Sequence, residues 1–356
     1  MTLPVTESLL HRLGWDDGWE ASFAEHRSSD PGAAGLVPAR VAIQHRGAYD
    51  LMHEQGEQRA SAANRLVREE GLPAVGDWVG LDLTSNLIEA LLPRRTSISR
   101  KATLDVTQEQ ILAANIDVSF LVQALPLDFN VRRLERYLAM AWESGAQPVV
   151  LLTKTDLVDD VQSFLDRVEE VTFGSVPVHH VSAVTGDGID GLRAWLQPNR
   201  TAVLLGSSGV GKSTIVNSLV GEELLATQEV REDDQMGRHT TTHRELILVP
   251  TGGVVLDTPG IRELQLWDAD LEQTFGDIEE IARRCRFSDC AHDQEPGCAI
   301  REALAEGVLA QDRWQSYQKL LREMEAIEAR RNHLLRQERV REYKIRARAQ
   351  RPKKKR

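Results

Sequence analysis

Between residues 111 and 260 short apolar runs alternate with stretches of helical periodicity. The runs fall at 117–122, 148–152, 177–181, 201–205 and 253–256. Between the first two, Val131, Leu134, Leu138 and Ala141 recur at three- and four-residue spacing. Continuous apolar runs separated by amphipathic helices predict parallel strands buried on both faces, an α/β doubly wound sheet. Residues 38–101 have a different rhythm. Their runs at 39–44, 48–51 and 75–81 are broken by turns, which predicts a small antiparallel barrel. The first 35 or so residues are acidic, carry Trp15 and Trp19, and read as an N-terminal extension of uncertain order. Helical sequence resumes from about 311, where 314–324 is amphipathic, and no internal repeat is visible.

Composition narrows the class. A chain of 356 residues has room for two or three domains, and 41% hydrophobic with 27% charged residues suits a globular protein. No apolar run approaches 18 residues, and residues 1–7 lack the basic-then-apolar pattern of a signal peptide. Three cysteines cannot all pair internally, so a reducing cytoplasm, without membrane partners, is expected. The net charge of −11 argues against a simple nucleic-acid coat protein, but it is unevenly spread. From Arg330 to Arg356 there are 13 Lys/Arg and two acids, a local +11. A second basic run, Arg94-Arg95 to Arg100-Lys101, lies near the end of the barrel segment. Both runs suit RNA phosphates, and both are also consistent with ordinary solvated surface.

Chemistry concentrates at four places. Gly206-Ser207-Ser208-Gly209-Val210-Gly211-Lys212-Ser213-Thr214 contains the full G-x-x-x-x-G-K-[ST] pattern, preceded by an apolar run and followed by a helical one. Glycines let successive N–H groups face phosphate oxygens. Lys212 is placed to reach the β- and γ-phosphates, and Ser213 to ligate Mg²⁺. Downstream, an apolar run ends in Asp257-Thr258-Pro259-Gly260, where Asp257 is a candidate Mg²⁺ carboxylate and Gly260 a γ-phosphate contact. Upstream, a run ends in Thr153-Lys154-Thr155-Asp156, in the manner of the guanine-reading Asn-Lys-x-Asp of GTPases. Asp156 would accept from the N1–H and exocyclic amine of guanine, with Lys154 along the base plane. Thr153 stands in the Asn place and removes one amide, which keeps an ATPase reading open. The next run ends in Val181-Ser182-Ala183, the position of the loop that supports a guanine. Finally, Cys285, Cys290, His292 and Cys298 gather every cysteine within 14 residues, a Cys₃His set suited to a closed structural zinc site. A redox pair or chance clustering are the other readings of that set.

The base motifs precede the phosphate motifs, the reverse of an ordinary GTPase, so a circular permutation is expected. This order, the barrel in front, the run Gly237-Arg238-His239-Thr240-Thr241-Thr242-His243 and the Cys/His set together resemble the small-ribosomal-subunit biogenesis GTPase family (RsgA) over roughly residues 38 to 330. The resemblance implies an OB-fold barrel that contacts RNA, a permuted GTPase domain and a zinc-bearing, mainly helical C-terminal domain. The corresponding segments are 1–37, 38–103, 104–275, 276–330 and a basic tail, 331–356. It also implies GTP hydrolysis stimulated by the small ribosomal subunit during late maturation, by a monomer that exchanges GTP and GDP. Residues 230–243 are the expected switch segment. One hydroxyl of Thr240, Thr241 and Thr242 should complete the Mg²⁺ shell, Thr241 being the candidate. Ile261 stands where Ras-like enzymes carry a water-orienting Gln, so His239 is the candidate replacement, a solvated loop His being the alternative. From a different class, a nucleotide-regulated rRNA-binding module with incidental hydrolysis also fits these residues.

Overall fold

A computed structural model of the chain describes residues 8–69, 71–101, 109–225, 244–257, 271–326 and 329. His239, Thr240, Thr241, Thr242, Gly260 and the tail from Arg330 lie outside the described residues. The chain divides into two units, residues 1–98 with 111–264, and residues 99–110 with 265–356.

The first unit opens with two helices, α1 (Leu9–Arg12) and α2 (Asp17–Ser29). Asp16 caps α2 by accepting from the Trp19 N–H at 2.8 Å, which satisfies one of the free donors of the first turn. A barrel follows, made of β1 (Val37–Gln44), β2 (Tyr49–His53), β3 (Gly56–Ala62), a short α3 (Asn64–Glu69), β4 (Trp78–Asp82) and β5 (Leu87–Leu91). Its strand order is β1-β2-β3-β5-β4, and β4 pairs back onto β1 to close a five-stranded, OB-like barrel. Val41, Leu51, Val79, Leu81 and Ile88 fill it. The N-terminal helices are fastened to this barrel by aromatics: Trp15 meets Trp78 edge-on at 4.8 Å, and Trp19 and Phe23 are buried.

Partnering changes the reading of the basic run at 94–101. Arg94 forms a bidentate pair with the fully buried Asp77, at 2.8 and 2.7 Å. Arg95 forms another with Asp16, at 2.6 and 2.7 Å, and lies 4.0 Å over the Trp19 ring. A charge already held by a carboxylate at this geometry is not available to phosphate without breaking that pair. Arg94 and Arg95 therefore hold the barrel to its surroundings.

Strands β6 (Ser97–Lys101) and β7 (Glu109–Ala114) form a separate two-stranded sheet. The nucleotide domain then runs β8 (Val118–Ala124), α4 (Val131–Ser144), β9 (Gln147–Thr153), α5 (Gln162–Thr172), β10 (Val178–Val181), α6 (Ile189–Trp195), β11 (Thr201–Leu205), α7 (Lys212–Val220), β12 (Glu245–Leu248) and β13 (Val254–Asp257). All five predicted apolar runs are strands, displaced by no more than two residues. The order is β10-β9-β8-β11-β13-β12, with β10 through β13 parallel and β12 antiparallel. β8 and β11 are buried at every position, as expected for strands covered on both faces. The sheet continues into the barrel where β12 meets β1, at Ile43 opposite Glu245.

The second unit contains α8 (Leu271–Ala282), α9 (Ala299–Glu306) and a helix over 311–326. Arg313 grips Asp277 through two hydrogen bonds of 2.8 and 2.6 Å and lies over the Phe275 ring, joining the last helix to α8. Tyr317 donates to Glu279 at 2.5 Å across the same contact.

Candidate functional site

The site forms at the carboxyl ends of the parallel strands, where an open α/β sheet leaves a crevice between diverging connections. β11 ends at Leu205, the chain loops through 206–211, and α7 begins at Lys212. Gly206 allows a close approach: a Cβ there would lie 2.7 Å from the Val122 carbonyl and 3.1 Å from Val210 Cγ2. Gly209 and Gly211 have φ of +75° and +98°, which L side chains rarely adopt. Lys212 Nζ donates to the carbonyls of Gly206 (2.8 Å) and Ser207 (2.6 Å), so its ammonium is held across the mouth of the loop. Ser213 and Thr214 occupy the first turn of α7, where unpaired N–H groups and the helix dipole favour an anion. Val210 is buried, while Ser208 and Gly209 at the loop tip are exposed.

Tyr137, on α4, has the Ser207 side chain near enough to favour its ionised form, against the larger effect of burial. Burial pushes the Tyr137 hydroxyl above its ordinary pKa, so it stays protonated at neutral pH. No motif marks this residue; its place on the buried face of α4 was the only sequence signal.

Two strands away, β9 delivers the candidate base-reading residues. Lys154 is left-handed (φ +58°) and starts a tight turn, Thr155–Leu157, that lifts Asp156 to the surface. The Ser182 hydroxyl donates to Asp156 Oδ1 at 2.6 Å, orienting the carboxylate. This contact is possible because β10 pairs with β9 in register, Val181 opposite Thr153. Ser182 is buried and Ala183 half-buried beside it. Thr153 is itself buried and faces the phosphate loop, donating to the Val210 carbonyl at 2.7 Å. Asp257 ends β13, which is parallel to β11 and paired with it at Leu256 opposite Val203. Asp257 and the phosphate loop thus lie at the carboxyl ends of adjacent strands, and a carboxylate and a hydroxyl are the kind of oxygen ligand that Mg²⁺ takes.

In the second unit, Cys285, Cys290, His292 and Cys298 present donor atoms that all lie within 4.8 Å of one another. His292 Nδ1 is 3.5 Å from both Cys285 Sγ and Cys298 Sγ. Tetrahedral zinc with ordinary Zn–S and Zn–N lengths requires an S···N edge of about 3.6 Å, so the geometry fits. The thiols compete for negative charge. Burial opposes ionisation of Cys285, but the N–H groups of Ala299 and Ile300 at the start of α9 draw its pKa down. Burial and the neighbouring thiols push Cys290 up to about 11. A bound dication removes that conflict, since each thiolate then faces positive charge. Glu295 stitches the ligand loop by accepting N–H groups of Ala291, Asp293 and Gln294 at 3.0, 3.0 and 3.1 Å. Trp314 packs edge-on against the His292 ring.

Strand, phosphate loop and helix, with an Asp-bearing strand beside them and a Thr-Lys-x-Asp turn earlier in the chain, define a P-loop GTPase domain in circularly permuted order. Comparison with known proteins agrees. The RsgA GTPase family profile matches residues 91–267. A relative from Opitutus terrae, named small ribosomal subunit biogenesis GTPase RsgA, is 46% identical over 90% of this chain and 91% of its own. The crystal structure of YjeQ from Thermotoga maritima, 26% identical, superimposes with a TM-score of 0.60 over 81% of this chain and 98% of that one. YloQ, described as a circularly permuted GTPase, shares the fold at 23% identity, with a TM-score of 0.57 over 82% and 96% of the two chains. The chain belongs to the RsgA family of GTPases.

Proposed function

We propose that this GTPase binds the small ribosomal subunit and couples hydrolysis of GTP to a late step of the subunit's maturation. The observation that carries the nucleotide part is the hydrogen-bonded convergence of the two motifs. Ser182 sets Asp156 toward a base, Lys212 spans the phosphate loop, and Thr153 ties the two halves together. The subunit part is supported by the relatives, which carry that assembly in their names. Gly206 to Thr214, with Lys212, would hold the triphosphate, and Ser213 and Asp257 would hold a Mg²⁺ that supplies positive charge to it. Gly260 would offer its N–H to the γ-phosphate, Thr241 would complete the Mg²⁺ shell, and His239 would align the attacking water in place of the missing Gln. The Cys₃His group holds one structural zinc.

Competition binding tests the reading: GTP and GDP should displace a fluorescent guanine nucleotide, and ATP at the same concentration should not. Lys212→Ala should abolish single-turnover hydrolysis. His239→Ala should lower the rate in the presence of small subunits; an unchanged stimulated rate removes His239 from the mechanism. Equal displacement by ATP would assign the chain to the ATPases and overturn the reading.

A further inference from the structure

The four donors of the Cys₃His group are not placed by the same bonds. Cys285 and Cys298 stand at the two ends of the ligand segment, and the Arg286 N–H donates to the Gly297 carbonyl at 3.0 Å, which fixes those ends side by side. Cys298 also opens α9, and the Cys290 N–H donates to the Phe287 carbonyl at 3.4 Å. His292 lies in the middle of the loop at φ +60°, a left-handed conformation that a residue with a Cβ keeps only where its surroundings hold it. One side chain brackets it. Glu295 Oε1 accepts the N–H of Ala291 at 3.0 Å, and Oε2 accepts those of Asp293 at 3.0 Å and Gln294 at 3.1 Å. One of these peptides precedes His292 and two follow it, and all three turn their N–H groups to the same carboxylate. Direction matters here because His292 meets the thiols through Nδ1, 3.5 Å from Cys285 Sγ and from Cys298 Sγ. Nδ1 is the ring nitrogen nearer the main chain, so its reach is short and the backbone at 292 decides where it points.

We propose that Glu295 is the positioning residue of the zinc site: its carboxylate holds the left-handed turn at His292 and so delivers the imidazole as fourth ligand beside three thiolates placed by other bonds. The carboxylate itself stays off the metal and acts through the main chain. The proposal rests on the reading of the Cys₃His group as a zinc site, and the experiment separates the two.

Zinc affinity of the full chain is measured by competition with a chromophoric chelator for wild type, Glu295→Gln, His292→Ala and the double variant. Glutamine keeps the size of the side chain but turns an amide NH₂ toward N–H groups. Glu295→Gln should weaken zinc binding by about 10–100-fold, the range of groups that orient a ligand. Added to His292→Ala it should change affinity by less than about twofold, since the ligand it serves is gone. Cobalt(II) at saturation gives a second readout. In Glu295→Gln the thiolate-to-metal charge-transfer band should keep its wild-type intensity, while the ligand-field bands move to those of His292→Ala. A merely structural part would cost the same on both backgrounds and would lower the charge-transfer band as well. Three results overturn the proposal: wild-type affinity in Glu295→Gln, an equal loss with and without His292, or a weakened charge-transfer band. If Glu295→Gln does not fold, Glu295→Asp, which keeps the charge one methylene short, decides through the same cycle. Failure of the zinc reading would show separately, as a wild-type chain that takes up no stoichiometric zinc.

Discussion

Arg40 shows how much of this chain's architecture depends on single polar side chains. It is buried in β1 and donates to the carbonyls of Gly76 (3.2 Å), Asn115 (3.1 Å) and Leu13. Burial lowers its pKa to about 10, with Asp117 and Asp77 opposing the shift, so it remains charged at neutral pH. It ties the end of α1, the barrel and the start of the nucleotide domain. Arg40→Ala removes the side-chain donor from the Leu13 and Asn115 carbonyls and leaves Gly76 with the Asn115 amide alone, at 3.1 Å, and should cost about 3–5 kcal/mol in urea unfolding; a loss under about 1 kcal/mol would reduce Arg40 to a bystander. The Asp16–Arg95 pair is more exposed and weaker. Its hydrogen bonds to Arg95 hold the Asp16 carboxyl below the ordinary 3.8. A depressed folded-state pKa means the contribution is present above that ordinary value and lost as the pH falls through the lowered one. Asp16→Asn should therefore remove part of the stability at pH 7 and flatten its decline in acid, as read by thermal melting. None of these partnerships was legible in the sequence. Arg95 and Asp16 are 79 residues apart, Arg94 and Asp77 are 17 apart, and a basic dipeptide looks the same whether free or paired. The motif residues were legible because one turn or one helix start assembles each set.

Each functional element is a strand end plus the connection that follows it, so each fails in its own way. At the end of β11, Gly206→Ala places a methyl 2.7 Å from a backbone carbonyl that belongs to the neighbouring strand. The loop must shift, at about 1–3 kcal/mol. GDP affinity should fall in parallel, while Gly221→Ala, past the end of α7, should bind GDP as wild type does. Apolar runs gave β8, β9, β10, β11 and β13 away, because strands buried on both faces need continuous hydrophobic sequence. β12 escaped, being four residues at the border between sheet and barrel. Helices α1 and α2 also escaped: α1 is four residues with none buried, and the buried Trp19 of α2 packs on Trp78, some sixty residues further along. In the second unit the ligand loop is small and held by Glu295, Trp314 and the metal donors. Chelation, or Cys298→Ser, should release one zinc per chain and lower the melting temperature of that unit. Folded protein without stoichiometric zinc would refute the structural-zinc assignment.

At the scale of the whole molecule the charge distribution matters more than its sum. The chain is acidic by 11 charges overall, yet its last 27 residues carry a local +11. With Arg94 and Arg95 engaged internally, that tail is the stronger candidate for rRNA phosphate. Removing residues 331–356 should weaken subunit binding and flatten its dependence on salt concentration, because each lost phosphate contact lowers the slope. Permutation gives the molecule a further property: the Thr-Lys-x-Asp strand comes first and the phosphate loop second, and the 56 residues between them fold so as to bring Thr153 to Val210. The central claim is that this GTPase acts with the small ribosomal subunit, and it is tested most directly by the rate of GTP hydrolysis with and without purified small subunits. The account expects slow turnover alone and a rise of at least about tenfold, a barrier lowering of about 1.4 kcal/mol, when small subunits are added. An identical rate in both conditions, or equal stimulation by large subunits, would contradict it.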